Sequence, residues 1–302
     1  MVARSEASKQ PEIGLPTGII LIGTLWLQLY ASCIYGWKYG DYYSYGWYVP
    51  PLVFWFFFRI RNSCSPLERK ALQPAVWVGA CVLLVILLTC IRVVQRVDPR
   101  WTLPLWIQAS VVIGATVFAI WRFAGPAAIR RVIPILLFAC SAIPLPSVLE
   151  RFAVSALTST VISSSALVLG WLGRPVHAIG DQLGRMGEVV QVTEGCSGIK
   201  SAQSFLMVAL FFGEWMVLTW SSRCIMIAAG LLTAWALNVV RATSLAWIRF
   251  EHGDSAFERA HDTAGLLAFT VGSLILLGVS RILDERRGMR KIRTHVVKGP
   301  KP

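Results

Sequence analysis

Apolar runs about as long as a bilayer is thick recur along this chain, separated by short polar stretches rich in arginine and lysine. A hydrocarbon core of about 30 Å needs about 20 apolar residues per crossing helix. Runs that meet or approach this lie at roughly 15–34, 47–58, 75–94, 101–121, 133–149, 200–220, 223–248 and 262–280. The second is short and carries Pro50 and Pro51. The first follows a polar stretch and has no small-x-small cleavage site, so it reads as a span rather than a removed leader. Between the fifth and sixth runs, 152–172 has helical character but holds seven Ser/Thr. It reads as an interfacial or re-entrant helix. The stretch 173–195 mixes Gly, charge and β-branched residues and reads as an ordered outer loop. The expectation is an all-α membrane protein: a bundle of about eight transmembrane helices with an additional outer-face interfacial helix. A cytoplasmic segment 1–14 precedes a single polytopic domain over 15–280, and a basic cytoplasmic tail 281–302 follows it.

Composition agrees. Hydrophobic residues make up 55% of the 302 and charged residues 15%, against about 25% charged in soluble domains. The mean hydropathy of +0.60 excludes a disordered chain and argues against an ordinary cytosolic enzyme. The net charge of +13 would suggest nucleic acid in a soluble protein. Here topology accounts for it. With the N-terminus inside, the inner segments hold 18 basic and 5 acidic residues and the outer ones 10 of each. Basic inner loops are the rule for membrane proteins, so no nucleic-acid partner is expected. The tail, with Arg286, Arg287, Arg290 and Lys291 among its cations, suits anionic membrane lipid. All seven tyrosines lie between positions 30 and 48, beside Trp37 and Trp47. That cluster reads as an aromatic belt, or as a stacking surface for a Pro-rich peptide.

Chemistry enters with four polar features. Glu194-Gly195-Cys196-Ser197-Gly198-Ile199-Lys200-Ser201 leads into the sixth run. A thiol at a helix N-terminus feels the positive end of the dipole, which favours thiolate. The flanking glycines, Gly195 and Gly198, allow close backbone approach by a substrate. Asn238-Val239-Val240-Arg241 lies inside the seventh run. An Arg there costs about 2.5–3.5 kcal/mol on insertion scales, so it faces a partner or water. Asn238, three residues earlier, shares its face. His261-Asp262-Thr263-Ala264-Gly265 opens the eighth run, and histidine suits proton transfer near neutral pH. Gly265 and Gly272 allow tight packing of that helix. Glu214 lies near the inner end of the sixth run and reads as structural. Cys196, Arg241 and His261 thus come from three consecutive helices and converge at one membrane face. A nucleophile, a fixed cation and an acid/base group together are the equipment for acyl transfer. The seven cysteines contain no Cys-x-x-Cys pair, which argues against a zinc site or disulfide framework.

The Cys-Ser-Gly-Ile-Lys-Ser run at 196–201, the Asn-x-x-Arg at 238–241 and the His-x-x-x-Gly at 261–265 resemble the exosortase/archaeosortase family. The aromatic segment 41–51 is similar to that family's early outer loop. The resemblance covers roughly 15–280. It implies a multi-pass protein of the bacterial cytoplasmic (inner) membrane, with its active site at the periplasmic, outer face. It further implies a cysteine-type peptidase and transpeptidase with sortase-like chemistry. Its partners would be exported proteins ending in a Pro-Glu-Pro-type (PEP-CTERM) motif, a transmembrane helix and a basic cluster, and an acceptor of unknown nature. Family members are linked to surface anchoring, often beside exopolysaccharide genes. Carried over, Cys196 is the nucleophile, His261 the general acid/base and Arg241 the stabiliser of the oxyanion. Asn238 would position Arg241, and Glu194, Ser197 and Gly198 would support the site or bind substrate. No metal or organic cofactor is expected. Two other readings stay open: a transporter or channel using Arg241 and Glu214, and a rhomboid-like serine protease using Ser197.

Overall fold

A computed structural model of the chain describes residues 15–40, 42–60, 74–185, 188–191 and 198–297. Nine α-helices occur among them: α1 (Leu15–Tyr39), α2 (Val49–Ile60), α3 (Pro74–Val97), α4 (Thr102–Ala124), α5 (Pro126–Cys140), α6 (Ser147–Trp171), α7 (Ile199–Trp215), α8 (Trp220–His252) and α9 (Asp254–Val297). Five stretches are long and apolar enough to cross a bilayer: Ile20–Tyr39 in α1, α4, α6, α8 and Asp254–Glu285 in α9. The protein is an all-α, multi-pass membrane protein, as the apolar runs predict. Four of the five stretches coincide with expected spans. The fifth, α6, contains the segment expected to lie at the interface.

Two expected elements have different bounds in the structure. The run at 133–149 is not one helix. Pro144 and Pro146 stop the backbone from continuing, and residues 141–146 form a turn between α5 and α6. The 15 residues of α5 rise only about 22 Å. The Ser/Thr-rich stretch 152–172 is the body of a 25-residue helix that packs lengthwise on α8. Val161 packs with Val239 and Ala242, and Leu169 clusters with Leu245 and Ala246. The contacts ascend together, so α6 and α8 run in the same direction. In α2, Pro50 and Pro51 occupy the first turn, where proline is tolerated, and its 12 residues rise about 18 Å.

The chain forms two compact units. The first comprises 1–36 and 50–136. Within it the helices are joined by buried polar contacts: Trp26 Nε1 donates to Thr116 Oγ1 at 3.0 Å, and Gln95 Nε2 to Gln108 Oε1 at 3.1 Å.

The second comprises 37–49 and 137–302 and carries the chemistry. Its frame is α7, α8 and α9. A Cβ on Gly230 of α8 would stand 3.0 Å from the Phe205 carbonyl oxygen and 3.1 Å from Ala209 Cβ. A Cβ on Gly272 of α9 would overlap the Phe205 ring. Phe205 also stacks on Phe269 with ring centroids 5.8 Å apart. Small residues therefore let three apolar helices close on one buried phenylalanine, the packing expected of Gly272. Gly253, at φ 76°, turns α8 into α9.

The region read as an ordered loop after α6 is a three-stranded antiparallel sheet, β1 (His177–Ile179), β2 (Gln182–Arg185) and β3 (Glu188–Gln191), in the order β1-β2-β3. Ala178 pairs with Leu183, and Leu183 with Val190. Gly180, at φ 61°, is first in the two-residue Gly180-Asp181 turn, the position that a tight hairpin reserves for glycine. Leu183 is fully buried in the cluster with Ile162, Leu169, Leu245 and Ala246, which seats the sheet at the Gly253 end of the helices.

Candidate active site

The Gly253 end gathers the groups that the sequence singles out. Arg241 lies eleven residues before the end of α8, about 17 Å along the axis. This is deeper than the sequence suggests, because α8 continues to His252. His261 likewise does not open its helix. α9 begins at Asp254, and His261 sits two turns inside it. The two antiparallel helices bring these side chains together, with Arg241 Nη2 3.1 Å from His261 Nε2. A guanidinium only donates, so a hydrogen bond here requires Nε2 as the acceptor, the tautomer with its ring proton on Nδ1. Gly265 lies opposite Arg241. A Cβ there would stand 3.7 Å from Nη2, so the guanidinium passes α9 in ordinary van der Waals contact. Phe257, one turn before His261, packs on the imidazole with ring centroids 5.9 Å apart. Phe257, Ala260 and Ala264 also join the cluster under the sheet, so apolar packing fixes the turn that bears the histidine.

α7 enters from the same end. Glu194, Gly195, Cys196 and Ser197 lie outside the described residues, and the described chain resumes at Gly198. Gly198 is buried, has φ 86° and caps the start of α7. Its carbonyl accepts from Ala202 N at 2.8 Å. A Cβ on it would stand 2.9 Å from Asn238 Nδ2. Both the left-handed backbone and this close approach select glycine. Asn238 itself is 2% exposed. Two residues beyond Cys196, the chain thus meets the side chain lying one helical turn from Arg241.

The other membrane charge has a separate fate. Glu214 Oε2 and Arg223 Nη1 form a largely buried ion pair at 2.9 Å, and Arg223 Nε also donates to the Leu218 carbonyl at 2.9 Å. This pair closes the turn between α7 and α8. The 18 residues from Arg223 to Arg241 place Glu214 about 27 Å from Arg241 along α8.

Sequence reasoning missed a polar hub in the aromatic segment. Tyr43 Oη donates to Glu150 Oε2 and accepts from Leu145 N at 2.8 Å and Gln203 Nε2 at 3.0 Å. Burial, reinforced by the Glu150 hydrogen bond, pushes the phenol well above its usual range, so it stays a neutral donor. Trp37 Nε1 donates to the Ala142 carbonyl at 2.7 Å and Tyr45 Oη to the Ser141 carbonyl at 2.8 Å. The segment is therefore only in part a belt. Trp37, Tyr42 and Tyr43 are buried, while Tyr39, Trp47 and Tyr48 are exposed. The available signal was Gln203, a carboxamide within the first two turns of an otherwise apolar span, α7. At the rim, Arg174 and Arg185 share the carboxylate of Glu251 and tie the sheet to the end of α8. No cluster of three or more His, Cys, Asp or Glu that could hold a metal occurs among the described residues.

A family model described as transmembrane exosortase matches residues 37–278. No curated protein and no solved structure matches the chain.

Proposed function

The chain belongs to the transmembrane exosortase family, and from that premise we propose that it is a membrane-embedded cysteine peptidase and transpeptidase. It cleaves a C-terminal sorting signal on exported proteins at the periplasmic face of the inner membrane. It holds the product as a thioester on Cys196 and passes it to an acceptor. The observation that carries this reading is the 3.1 Å contact of Arg241 with His261, on the hairpin against which Gly198 packs. Glu214, spent on Arg223, leaves a pathway from Arg241 without its second charge and disfavours transport.

The steps follow from donor and acceptor roles. His261 Nε2 holds a lone pair in the resting site and takes the Cys196 proton. Sulfur attacks the scissile carbonyl carbon, and the carbonyl pair moves to oxygen. A protonated Nε2 no longer accepts from Arg241, so the guanidinium turns its N–H toward the new oxyanion. A fixed cation acts there more strongly than in water. Collapse breaks the C–N bond, and the leaving amine takes the proton from His261. An acceptor amine or water then resolves the thioester. A tagged reporter with a Pro-Glu-Pro-type signal tests the intermediate. A reporter–enzyme adduct should form, release with hydroxylamine and vanish in Cys196→Ala. An adduct that persists in Cys196→Ala contradicts the proposal.

A further inference from the structure

We infer that Arg174 and Arg185 determine specificity: together they bind an acidic side chain of the substrate about four or five residues before the scissile bond. The inference rests on the peptidase reading above and deepens it by naming the chemistry that the rim reads.

Three observations support it. First, two cations converge on one anion. Arg174 Nη1 and Arg185 Nη1, the latter at 3.0 Å, both donate to the same oxygen, Oε1 of Glu251. A guanidinium carries five N–H donors, so one carboxylate cannot use up two guanidiniums. Within the triad one positive charge is left over. Second, the two guanidiniums are held ready. Arg174 lies over Trp247 at 5.0 Å from the ring centroid, and Arg185 over Phe250 at 6.0 Å. Both rings pack on the cluster that contains Leu183. Arg174 precedes β1 and Arg185 ends β2, so the sheet seated by Leu183 is what brings the pair together. Cations already laid on rings lose less freedom when a ligand arrives. Their side chains are still 35% and 23% exposed, which leaves them open to one. A planar guanidinium fork suits a carboxylate.

Third, the position fits a substrate. Glu251 follows Arg241 by ten residues in α8, about 15 Å along the axis. An extended peptide covers that distance in about four or five residues, at about 3.3 Å each. In the peptidase reading the substrate's own membrane helix follows the scissile bond. The residues before that bond therefore leave the site outward, along the end of α8 to the rim. A glutamate or aspartate there meets both guanidiniums while the bond to be cut lies at Arg241 and His261.

The test uses the full-length protein in membranes and a set of tagged reporters. In each, a single glutamate stands at a different position of the segment before the membrane helix, with glutamine and lysine versions for comparison. Mass spectrometry of the product fixes the cleaved bond. For wild type, glutamate about four or five residues before that bond should give a KM about tenfold lower than glutamine there. Arg174→Gln and Arg185→Gln should each lose most of this preference, and Arg185→Glu should turn it toward lysine. A preference that persists in both glutamine variants overturns the inference, as does a wild type indifferent to glutamate at every position. A KM that rises equally for glutamate and glutamine reporters, with a lowered melting temperature, would show only a structural tie and likewise overturn it. Processing that survives Cys196→Ala would instead sink the cysteine reading, a separable result.

Discussion

α8 carries three arginines, and two of them, Arg223 in its first turn and Arg241 well inside it, teach opposite lessons about charge in a membrane helix. Arg223 meets Glu214 at 2.9 Å, with side chains 13% and 7% exposed. Two opposite charges neutralise each other there and close a turn. Arg241 meets His261 at 3.1 Å. Its partner is an imidazole rather than a carboxylate, so this contact does not neutralise the arginine's charge. An intramembrane charge is a functional hypothesis by default, but its partner decides whether the charge is spent or available. Glycine marks the difference too. A Cβ on Gly213 would stand 3.5 Å from the Arg223 Cγ, an ordinary van der Waals contact. One on Gly198 would crowd Asn238 Nδ2 at 2.9 Å.

The comparison can be broken from either end. The largest effect is expected at Arg241. Replacing it with Ala should reduce reporter processing by about 10²–10³-fold and leave the melting temperature nearly unchanged. Arg241→Lys should recover only part, because an ammonium lacks the planar fork. Equal loss of stability and activity in Arg241→Ala would make the two ends alike. At the other end, Glu214→Ala leaves a buried cation alone and should destabilise the fold by about 3–5 kcal/mol. Turnover per folded molecule should not change. Reversing the pair, Glu214→Arg with Arg223→Glu, should restore most of that loss. A catalytic defect persisting in the stable reversed protein would refute the structural assignment. Smaller still is Tyr43→Phe, which strands the Leu145 N–H and the Gln203 amide and should cost about 1–3 kcal/mol in thermal unfolding. A wild-type melting curve would mean that the hub is not a structural tie.

The same contrast explains what was legible in the sequence. The spans in α1, α4, α8 and α9 and the convergence of Arg241 with His261 follow from apolar length and helical spacing. α6 was hidden because its hydroxyls look polar in composition, yet some of them are satisfied within the helix. Ser159 Oγ donates to the Ala156 carbonyl at 3.1 Å and Thr160 Oγ1 to the Leu157 carbonyl at 2.9 Å, which lets a Ser/Thr-rich helix pack among apolar neighbours. The sheet was hidden because strands of three and four residues carry too few positions for a period of two. One buried leucine and one glycine turn set its register. The Glu214–Arg223 pair was missed because its partners lie on two helices joined by a turn, where no i to i+4 rule applies. The Gly198–Asn238 contact depends on the crossing of α7 and α8, which spacing along either helix does not report.

The most direct test of the central claim is reporter processing, followed by gel mobility at matched expression, in Cys196→Ala, Ser197→Ala, Arg241→Ala and His261→Ala. The account predicts that Cys196, Arg241 and His261 are each required and that Ser197 is dispensable. Processing that survives Cys196→Ala and fails in Ser197→Ala would contradict it.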